Sequence, residues 1–344
     1  MKKIVYLCVV LAAGAASAAV LRVGPGEEYA TVQSAVDAVP SGNADEAVVE
    51  IAPGDYEEHV LVPRDRPFVT MRAREPGTVR IRSGESVYTV KDKQLPRCTA
   101  LSVEANDFTA EGIVFDNYAS RANVEAGGRG VGQALAVSVT SDRVTFRKCT
   151  FLGHQDTLLA DGPHYGDGVS RQYYEDCEIE GTVDFIFGGA TAVFNRCRLR
   201  FADRGYVAAA STREGQRFGF VFVDCTLSGK DGMKKSELGR PWRPYAQTVF
   251  IGCRFDDVLK PEGWSNWRNP ANEKTAYFAE FGCIGPGADA AARHPWVHVG
   301  TLDDAAAYFA ARGASTWRDA LAGTDGWNPA GEKFPRAGAV AKTL

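Results

Sequence analysis

The segment Ala192-Val-Phe-Asn-Arg-Cys-Arg-Leu199 carries the pattern that decides the fold, because four other segments repeat it. Each has an aromatic residue three positions before a cysteine and an apolar residue two positions after it. The five cysteines are Cys149, Cys177, Cys197, Cys225 and Cys253, at intervals of 28, 20, 28 and 28 residues. Similar units at such intervals are typical of a solenoid, in which each coil packs only against its neighbours.

The runs between the repeats favour β-strands. They are short, rich in β-branched and aromatic residues, and separated by Gly, Asp and Asn, with no helical periodicity until near the C-terminus. Strands of this kind without crossover helices predict an all-β fold, a right-handed single-stranded parallel β-helix. Residues 30–39 predict a short N-terminal cap helix that ends at Pro40. After Cys253 the repeat loosens into a tail, with a helix-like stretch at 302–309, that we expect to pack on the β-helix.

The repeated cysteines are expected to form an inward-facing ladder. Equivalent residues on successive coils stack about 4.8 Å apart, and cysteine is among the residues most often buried. Disulfide, metal or redox roles are alternatives to this packing role. The chain without residues 1–19 retains seven cysteines, an odd number that cannot all pair within one molecule.

Residues 1–19 are typical of a secretory signal. Lys2 and Lys3 precede an apolar run, and Ala16-Ser17-Ala18 fits a cleavage site near Ala18 or Ala19. We therefore expect a secreted or periplasmic protein, with residues 20–344 forming a single domain and the molecule a monomer. No later stretch is long and apolar enough to span a bilayer. A formal net charge of −4 and a pI near 5.8 make nucleic acid an unfavourable partner.

Two aspartates share one position in the repeat. Asp156 lies seven residues after Cys149, and Asp184 lies seven residues after Cys177. Adjacent coils in register would bring their backbones about 5 Å apart. Two carboxyl groups that close do not both ionise easily, so one keeps its proton while the other stays charged. This division suits a general acid beside a nucleophile, although aspartates also occur as coil-corner residues.

Three further segments supply candidate partners for these aspartates. Arg240, in Leu238-Gly-Arg-Pro-Trp242, could hold Asp184 ionised through two parallel hydrogen bonds, and Trp242 suits either packing or stacking on a sugar ring. Gln133 and Gln155 carry amide N–H groups that could stabilise an oxyanion. Strict strand alternation would turn Gln155 away from Asp156, so we expect a bend near Gly153.

Together these segments resemble the pectin methylesterase family. The resemblance covers roughly residues 20–317 and is carried by Gly54-Asp-Tyr-Glu-Glu58, Gln133-Ala-Leu-Ala-Val137, Gly153-His-Gln-Asp-Thr-Leu158, Gly181-Thr-Val-Asp-Phe-Ile-Phe-Gly188 and Leu238-Gly-Arg-Pro-Trp242. It implies a β-helical esterase that removes methyl groups from esterified galacturonate in pectin and needs no cofactor or metal.

The resemblance also implies a role for each candidate residue. Asp184 would be the nucleophile, Asp156 the general acid and then base, Gln133 and Gln155 the oxyanion donors, and Arg240 the residue that orients Asp184. Phe187 and Trp242 would line the sugar groove, which Gln133 and Arg240 also border. Many family members have an aromatic residue where this chain has Leu159, and residues 161–168 form a Gly-rich insertion, so one wall of the groove should differ here. Tyr165 in the insertion is a candidate replacement.

Other functions fit the sequence less well. Paired carboxylates would also serve a β-helical glycosidase, and a lyase or an esterase acting on a non-pectin ester is a further alternative. A serine esterase lacks its Gly-x-Ser-x-Gly motif here, and the five histidines form no zinc-ligand motif such as His-Glu-x-x-His. A solenoid that only binds polysaccharide would not need so complete a set of reactive residues.

Overall fold

The chain winds in successive coils that build three parallel sheets. The structure is a computed structural model, and it describes residues 18–91, 93–128, 130–162, 170–230, 232–233 and 235–331. Each complete coil contributes one strand to each sheet, and every pairing between the described strands is parallel, as in the register of Tyr174 with Phe194. The architecture is a parallel β-helix, which confirms the predicted fold. The predicted signal segment lies outside the described residues, apart from Ala18 and Ala19.

The described strands divide among the three sheets as follows. The first sheet contains β1 (Ala19–Val23), β2 (Ala47–Ile51), β5 (Val69–Ala73), β8 (Thr109–Glu111), β11 (Val144–Arg147), β14 (Arg171–Glu175), β17 (Thr191–Asn195), β20 (Phe220–Val223), β23 (Gln247–Ile251), β25 (Tyr277–Phe281) and β26 (His298–Gly300). The second contains β3 (Gly54–Glu57), β6 (Val79–Ser83), β9 (Ile113–Asn117), β12 (Thr150–Leu152), β15 (Glu178–Gly181), β18 (Arg198–Phe201), β21 (Thr226–Gly229) and β24 (Arg254–Phe255). The third contains β4 (Val60–Val62), β7 (Thr99–Val103), β10 (Leu135–Val139), β13 (Leu158–Ala160), β16 (Ile186–Gly188), β19 (Tyr206–Ala210) and β22 (Glu237–Pro241).

The repeated aromatic residues form a continuous column inside the coil. Phe146, Tyr174, Phe194, Phe222 and Phe250 are fully buried, and successive rings stack nearly parallel with centroids 5.3, 4.5, 4.6 and 4.4 Å apart. Stacking of this kind adds to the hydrophobic contribution of burial. Because each ring contacts the next one, the column favours an in-register arrangement of the coils.

The cysteines form a buried ladder of free thiols beside this column. From Cys177 onward, each thiol lies against the carbonyl of the aromatic residue one coil back, as when Cys225 Sγ donates to the Phe194 carbonyl at 3.3 Å. The ladder has one more member than predicted, because Cys283 makes the same contact with Phe250 at 3.6 Å. The repeat in the sequence ends at Cys253 because Glu280 stands at the inward position where the pattern requires an aromatic residue.

One helix caps the N-terminal end of the β-helix and another packs on an outer face. The cap helix α1 (Val32–Ala38) begins at Thr31, whose side chain accepts a hydrogen bond from Ser34 N–H. The tail helix α3 (Leu302–Ala310) packs Tyr308 and Phe309 on the outer face of the first sheet. Both agree with the predictions, as does the packing of the tail. Within the described ranges, no helix is long and apolar enough to cross a membrane.

Helix α2 (Ala119–Glu125) contradicts the expectation of no helix between the cap and the tail. It buries a single residue, Ser120, so it has no apolar stripe that could have revealed it in the sequence. Its Arg121 reaches back to the fully buried Asp116 at 2.6 Å. The ion pair of Arg121 with Asp116, rather than hydrophobic packing, holds this helix against β9.

A charge placed in the cysteine ladder should disrupt the fold. We expect Cys197→Asp to lower the free energy of unfolding by about 3–5 kcal/mol, because the new carboxylate would be buried without a partner. Cys197→Ala, which only removes the sulfur, should cost about 1 kcal/mol. Urea unfolding of both variants measures the difference. Equal losses would mean that the ladder is not a closed apolar column.

Candidate active site

Two equivalent turns between the second and third sheets present the aspartates. Residues 155–156 and 183–184 form the turns, and Asp156 (φ 63°) and Asp184 (φ 53°) both adopt the left-handed backbone conformation. Aspartate tolerates this region better than most residues. The left-handed residue breaks the strand alternation. The predicted bend near Gly153 therefore exists, in the turn that ends at Asp156.

The register of the third sheet sets these turns side by side. Leu158 pairs with Ile186, so the residues two positions before them, Asp156 and Asp184, occupy the same place on adjacent coils. Asp156 N–H donates to the Val183 carbonyl at 3.0 Å, which joins one turn to the next. Gly181 allows the two coils to lie this close, since a Cβ there would lie 2.6 Å from Thr157 Oγ1 and 2.8 Å from the His154 carbonyl oxygen.

Arg240 reaches Asp184 from two strands away. Its Nε donates to Oδ1 at 2.8 Å and its Nη2 to Oδ2 at 2.6 Å, the two-point geometry expected from the sequence. The guanidinium lies between two aromatic rings, 4.1 Å from the centroid of Tyr206 and 3.7 Å from that of Trp267. These contacts restrict the guanidinium to the direction that meets Asp184.

The two carboxyl groups differ in charge state because only one has a cation. Burial raises the pKa of Asp156 to about 8, the charge of Asp184 adds to this rise, and Arg240 opposes it. Burial also raises the pKa of Asp184, but the hydrogen bonds from Arg240 oppose that rise. At neutral pH the pair therefore keeps its proton on Asp156 and its negative charge on Asp184.

The two glutamines lie on neighbouring segments at the same end of the third sheet. Gln155 immediately precedes Asp156, and its carbonyl accepts a hydrogen bond from Ala134 N–H, next to Gln133, at 3.3 Å. Both glutamines are partly exposed. Gln133 stands two residues before the start of β10. The structure thus brings the backbones of both predicted oxyanion donors to the aspartate turns.

An apolar surface extends from the aspartates along the outer face of the third sheet. Phe187, Leu159, Leu135 and Ala209 form one cluster, on which Trp242 packs with its ring 5.8 Å from that of Phe187. Phe187 and Leu159 are each only 4% exposed. Trp242 therefore presents most of the aromatic surface here, and Phe187 supports it from below. Tyr165 and most of the insertion lie outside the described residues.

Sequence reasoning missed two residues of the site, Tyr206 and Trp267. Tyr206 follows Asp156 and Asp184 in the register, because Ile186 pairs with Ala208. It lies nine residues after Cys197 rather than seven, so the offset that found the aspartates did not find it. Trp267 lies in the irregular tail, where no repeat could place it.

Comparisons with known proteins agree on one family. The family model described as Pectinesterase matches residues 18–313. Pectinesterase 31 of Arabidopsis thaliana is 36% identical over 291 residues, which cover 82% of this chain and 87% of that protein. Pectinesterase QRT1 of the same plant is 34% identical over 294 residues, covering 81% and 72% of the two chains.

Solved structures give the same result. Pectin methylesterase from carrot superimposes with a TM-score of 0.73 at 27% identity, covering 81% of this chain and 87% of that one. Pectin methylesterase PemA from Erwinia chrysanthemi has a TM-score of 0.70 at 25% identity and covers 87% and 97% of the two chains.

The protonated state of Asp156 should affect stability as a function of pH. Since folding raises its pKa from 3.8 to about 8, the folded state favours the proton. The contribution of Asp156 to stability is thus fully present below about pH 4 and is lost as the pH rises through about 8. Asp156→Asn, which stays neutral, should be about as stable as the unmodified protein at pH 4 and more stable at pH 9.

Urea unfolding at about pH 4, 6 and 9 measures this difference. Asp224→Asn makes the same substitution at an exposed aspartate that is also left-handed (φ 52°), and it serves as the control. If Asp156→Asn and the unmodified protein differed by a constant amount at all three pH values, Asp156 would not carry a raised pKa.

Proposed function

The chain belongs to the pectinesterase family and is a carboxylic ester hydrolase, and we propose that Asp184 and Asp156 divide the hydrolysis of galacturonate methyl esters in pectin between them. Asp184 acts as the nucleophile and Asp156 as the general acid and base. The main support is the ion pair of Arg240 with Asp184 beside the uncharged Asp156, because it gives two chemically identical side chains different charges.

In the first step an Asp184 carboxylate oxygen attacks the carbonyl carbon of the methyl ester. The tetrahedral intermediate collapses with cleavage of the bond to the methoxy oxygen, and Asp156 gives its proton to that oxygen, so methanol leaves. The product on the enzyme is an anhydride between Asp184 and the galacturonate carboxyl. Arg240 favours this step by keeping Asp184 ionised and by fixing the direction of its oxygens.

In the second step water hydrolyses the anhydride. Asp156, now ionised, removes a proton from the attacking water, and the bond between Asp184 and the galacturonyl carbon breaks. Asp184 leaves as a carboxylate again bound to Arg240, and the galacturonate unit leaves de-esterified. Asp156 ends the cycle with its proton restored, so no cofactor is consumed.

Gln133 and Gln155 provide the N–H groups for the negative charge that develops on the ester oxygen. A carboxylate is a weak nucleophile, so stabilisation of the tetrahedral intermediate must supply a large part of the rate. Trp242, a partly exposed aromatic residue that packs on Phe187, provides a surface for a sugar ring. Export, a single domain over residues 20–344 and a monomeric state remain part of the proposal.

Replacement of the nucleophile should abolish the activity without unfolding the protein. We expect Asp184→Asn to reduce methanol release from methylated pectin by about 10⁴-fold or more, because an amide cannot form the anhydride. Asp224→Asn is the matched control and should keep full activity. An active Asp184→Asn variant would refute the assignment. New reducing or unsaturated chain ends without methanol would instead indicate a glycosidase or a lyase.

Loss of one amide donor should reduce turnover more than binding. Gln155→Ala should lower kcat for methanol release by about 10²–10³-fold, because the missing hydrogen bond serves the transition state. KM should change by less than about threefold, since the ground state depends little on that bond. Gln33→Ala, on α1 at the N-terminal end, is the control. A rise in KM at unchanged kcat would make Gln155 a binding residue instead.

A further inference from the structure

A loop of residues 258–267, here called the capping loop, covers the outer edge of β22, the strand that carries Arg240. Leu238 N–H donates to the Gly263 carbonyl at 2.7 Å, and Ser265 N–H donates to the Gly239 carbonyl at 3.1 Å. These bonds pair the loop with the strand on both sides of Gly239. The loop then ends at Trp267, whose ring lies 3.7 Å from the guanidinium carbon of Arg240.

Trp264 anchors the capping loop in the core. It is fully buried and stacks on Phe278 with ring centroids 4.5 Å apart. Its ring approaches Gly239 so closely that a Cβ there would lie 3.2 Å from it. Its indole N–H donates to Glu280 Oε1 at 2.8 Å. The position of the loop therefore depends on where Glu280 is held.

Arg293, from the tail, holds Glu280. Its Nε and Nη2 donate to the two carboxylate oxygens at 2.8 and 3.1 Å, and each side chain is only 3% exposed. The same guanidinium donates from Nη1 to the Pro261 carbonyl at 2.8 Å and from Nη2 to the Gly287 carbonyl at 2.6 Å. Through the bond to Pro261, Arg293 therefore also binds the capping loop directly. Gly263, at φ 72°, makes room for it, since a Cβ there would lie 2.6 Å from Nε.

These contacts form a continuous path from the tail to the nucleophile. We propose that Arg293 is a positioning residue for the ester hydrolysis: through Glu280, Trp264 and the capping loop it holds Trp267 over Arg240 and thereby fixes the guanidinium against Asp184. The inference rests on the proposed function only in naming Asp184 as the nucleophile. Arg293 itself touches neither the aspartates nor Arg240.

The buried ion pair of Arg293 with Glu280 has a role beyond packing. Burying two charges costs desolvation that an apolar pair of similar volume would avoid, so stability alone would be served as well by hydrophobic residues. The hydrogen bonds of Arg293 to the Pro261 carbonyl and to Glu280, which in turn accepts from Trp264, instead select one position for residues 261–264. Trp267 lies three residues beyond Trp264, so a small displacement of the anchor moves the ring away from Arg240.

The test compares two variants that loosen the capping loop without leaving a buried charge unpaired. Arg293→Met combined with Glu280→Gln removes the ion pair and the bond to Pro261, while the amide oxygen introduced at position 280 can still accept from Trp264. Trp264→Phe removes the indole N–H and part of the ring volume, but it keeps an aromatic ring against Phe278. Arg171→Met is the matched control, because Arg171 is also a buried arginine that binds two carboxylates, Asp142 and Asp325.

Titration of the Asp184 carboxyl carbon by NMR is the decisive readout, with Asp184→Asn used to assign the signal. Asp184 faces Arg240 and Asp156, so a loosened Arg240 should raise the pKa of Asp184 by about half a unit or more. The acidic limb of kcat/KM for methanol release should move up by the same amount. At about pH 6, kcat should fall roughly 3- to 30-fold with KM nearly unchanged.

A purely structural role predicts a different result. In that case both variants would melt at lower temperature, as we expect of Arg171→Met, but the midpoint of Asp184 would stay at its value in the unmodified protein, and the inference would be wrong. If the double variant does not fold, Trp264→Phe alone decides by the same midpoint. If the unmodified protein released no methanol, the proposed function would fail, whereas the titration would still test the path from Arg293 to Asp184.

Discussion

The in-register hydrogen bonding between successive coils is the constraint on which the rest of this protein depends. Parallel strands fix equivalent residues about 4.8 Å apart, so any feature of one coil is placed next to the same feature of the following coil. The aromatic column and the thiol ladder follow from this spacing. So does the meeting of Asp156 and Asp184, which are 28 residues apart in the chain but neighbours in space.

The same spacing explains the uneven charge of the site. Two carboxyl groups held side by side and away from water must differ in protonation, and the side on which a cation arrives decides which of them keeps its charge. Arg240 comes from the coil after that of Tyr206, so it meets Asp184 first. Which aspartate is the nucleophile and which is the acid therefore depends on the end of the β-helix from which the arginine approaches.

Much of this could be predicted from the sequence because the repeat carries it. The cysteine register was enough to predict the fold, the two aspartates and every member of the thiol ladder except Cys283. Arg240 was found because it lies in a compact motif. Tyr206, Trp267 and Cys283 were missed where coil length or composition changes, since a register argument fails when the count of residues per coil varies. Helix α2 was missed because ionic rather than apolar contacts hold it.

The left-handed backbone at Asp156 and Asp184 limits how this site could be transplanted. On an ordinary β-strand the same two side chains would stand perpendicular to the sheet, so copying the side chains without the left-handed backbone would not reproduce the site. The unit that would have to be transferred is therefore the pair of consecutive turns together with their glycines. A suitable recipient is any β-helix that has left-handed turns at equivalent positions of two adjacent coils, provided that another coil can supply the arginine.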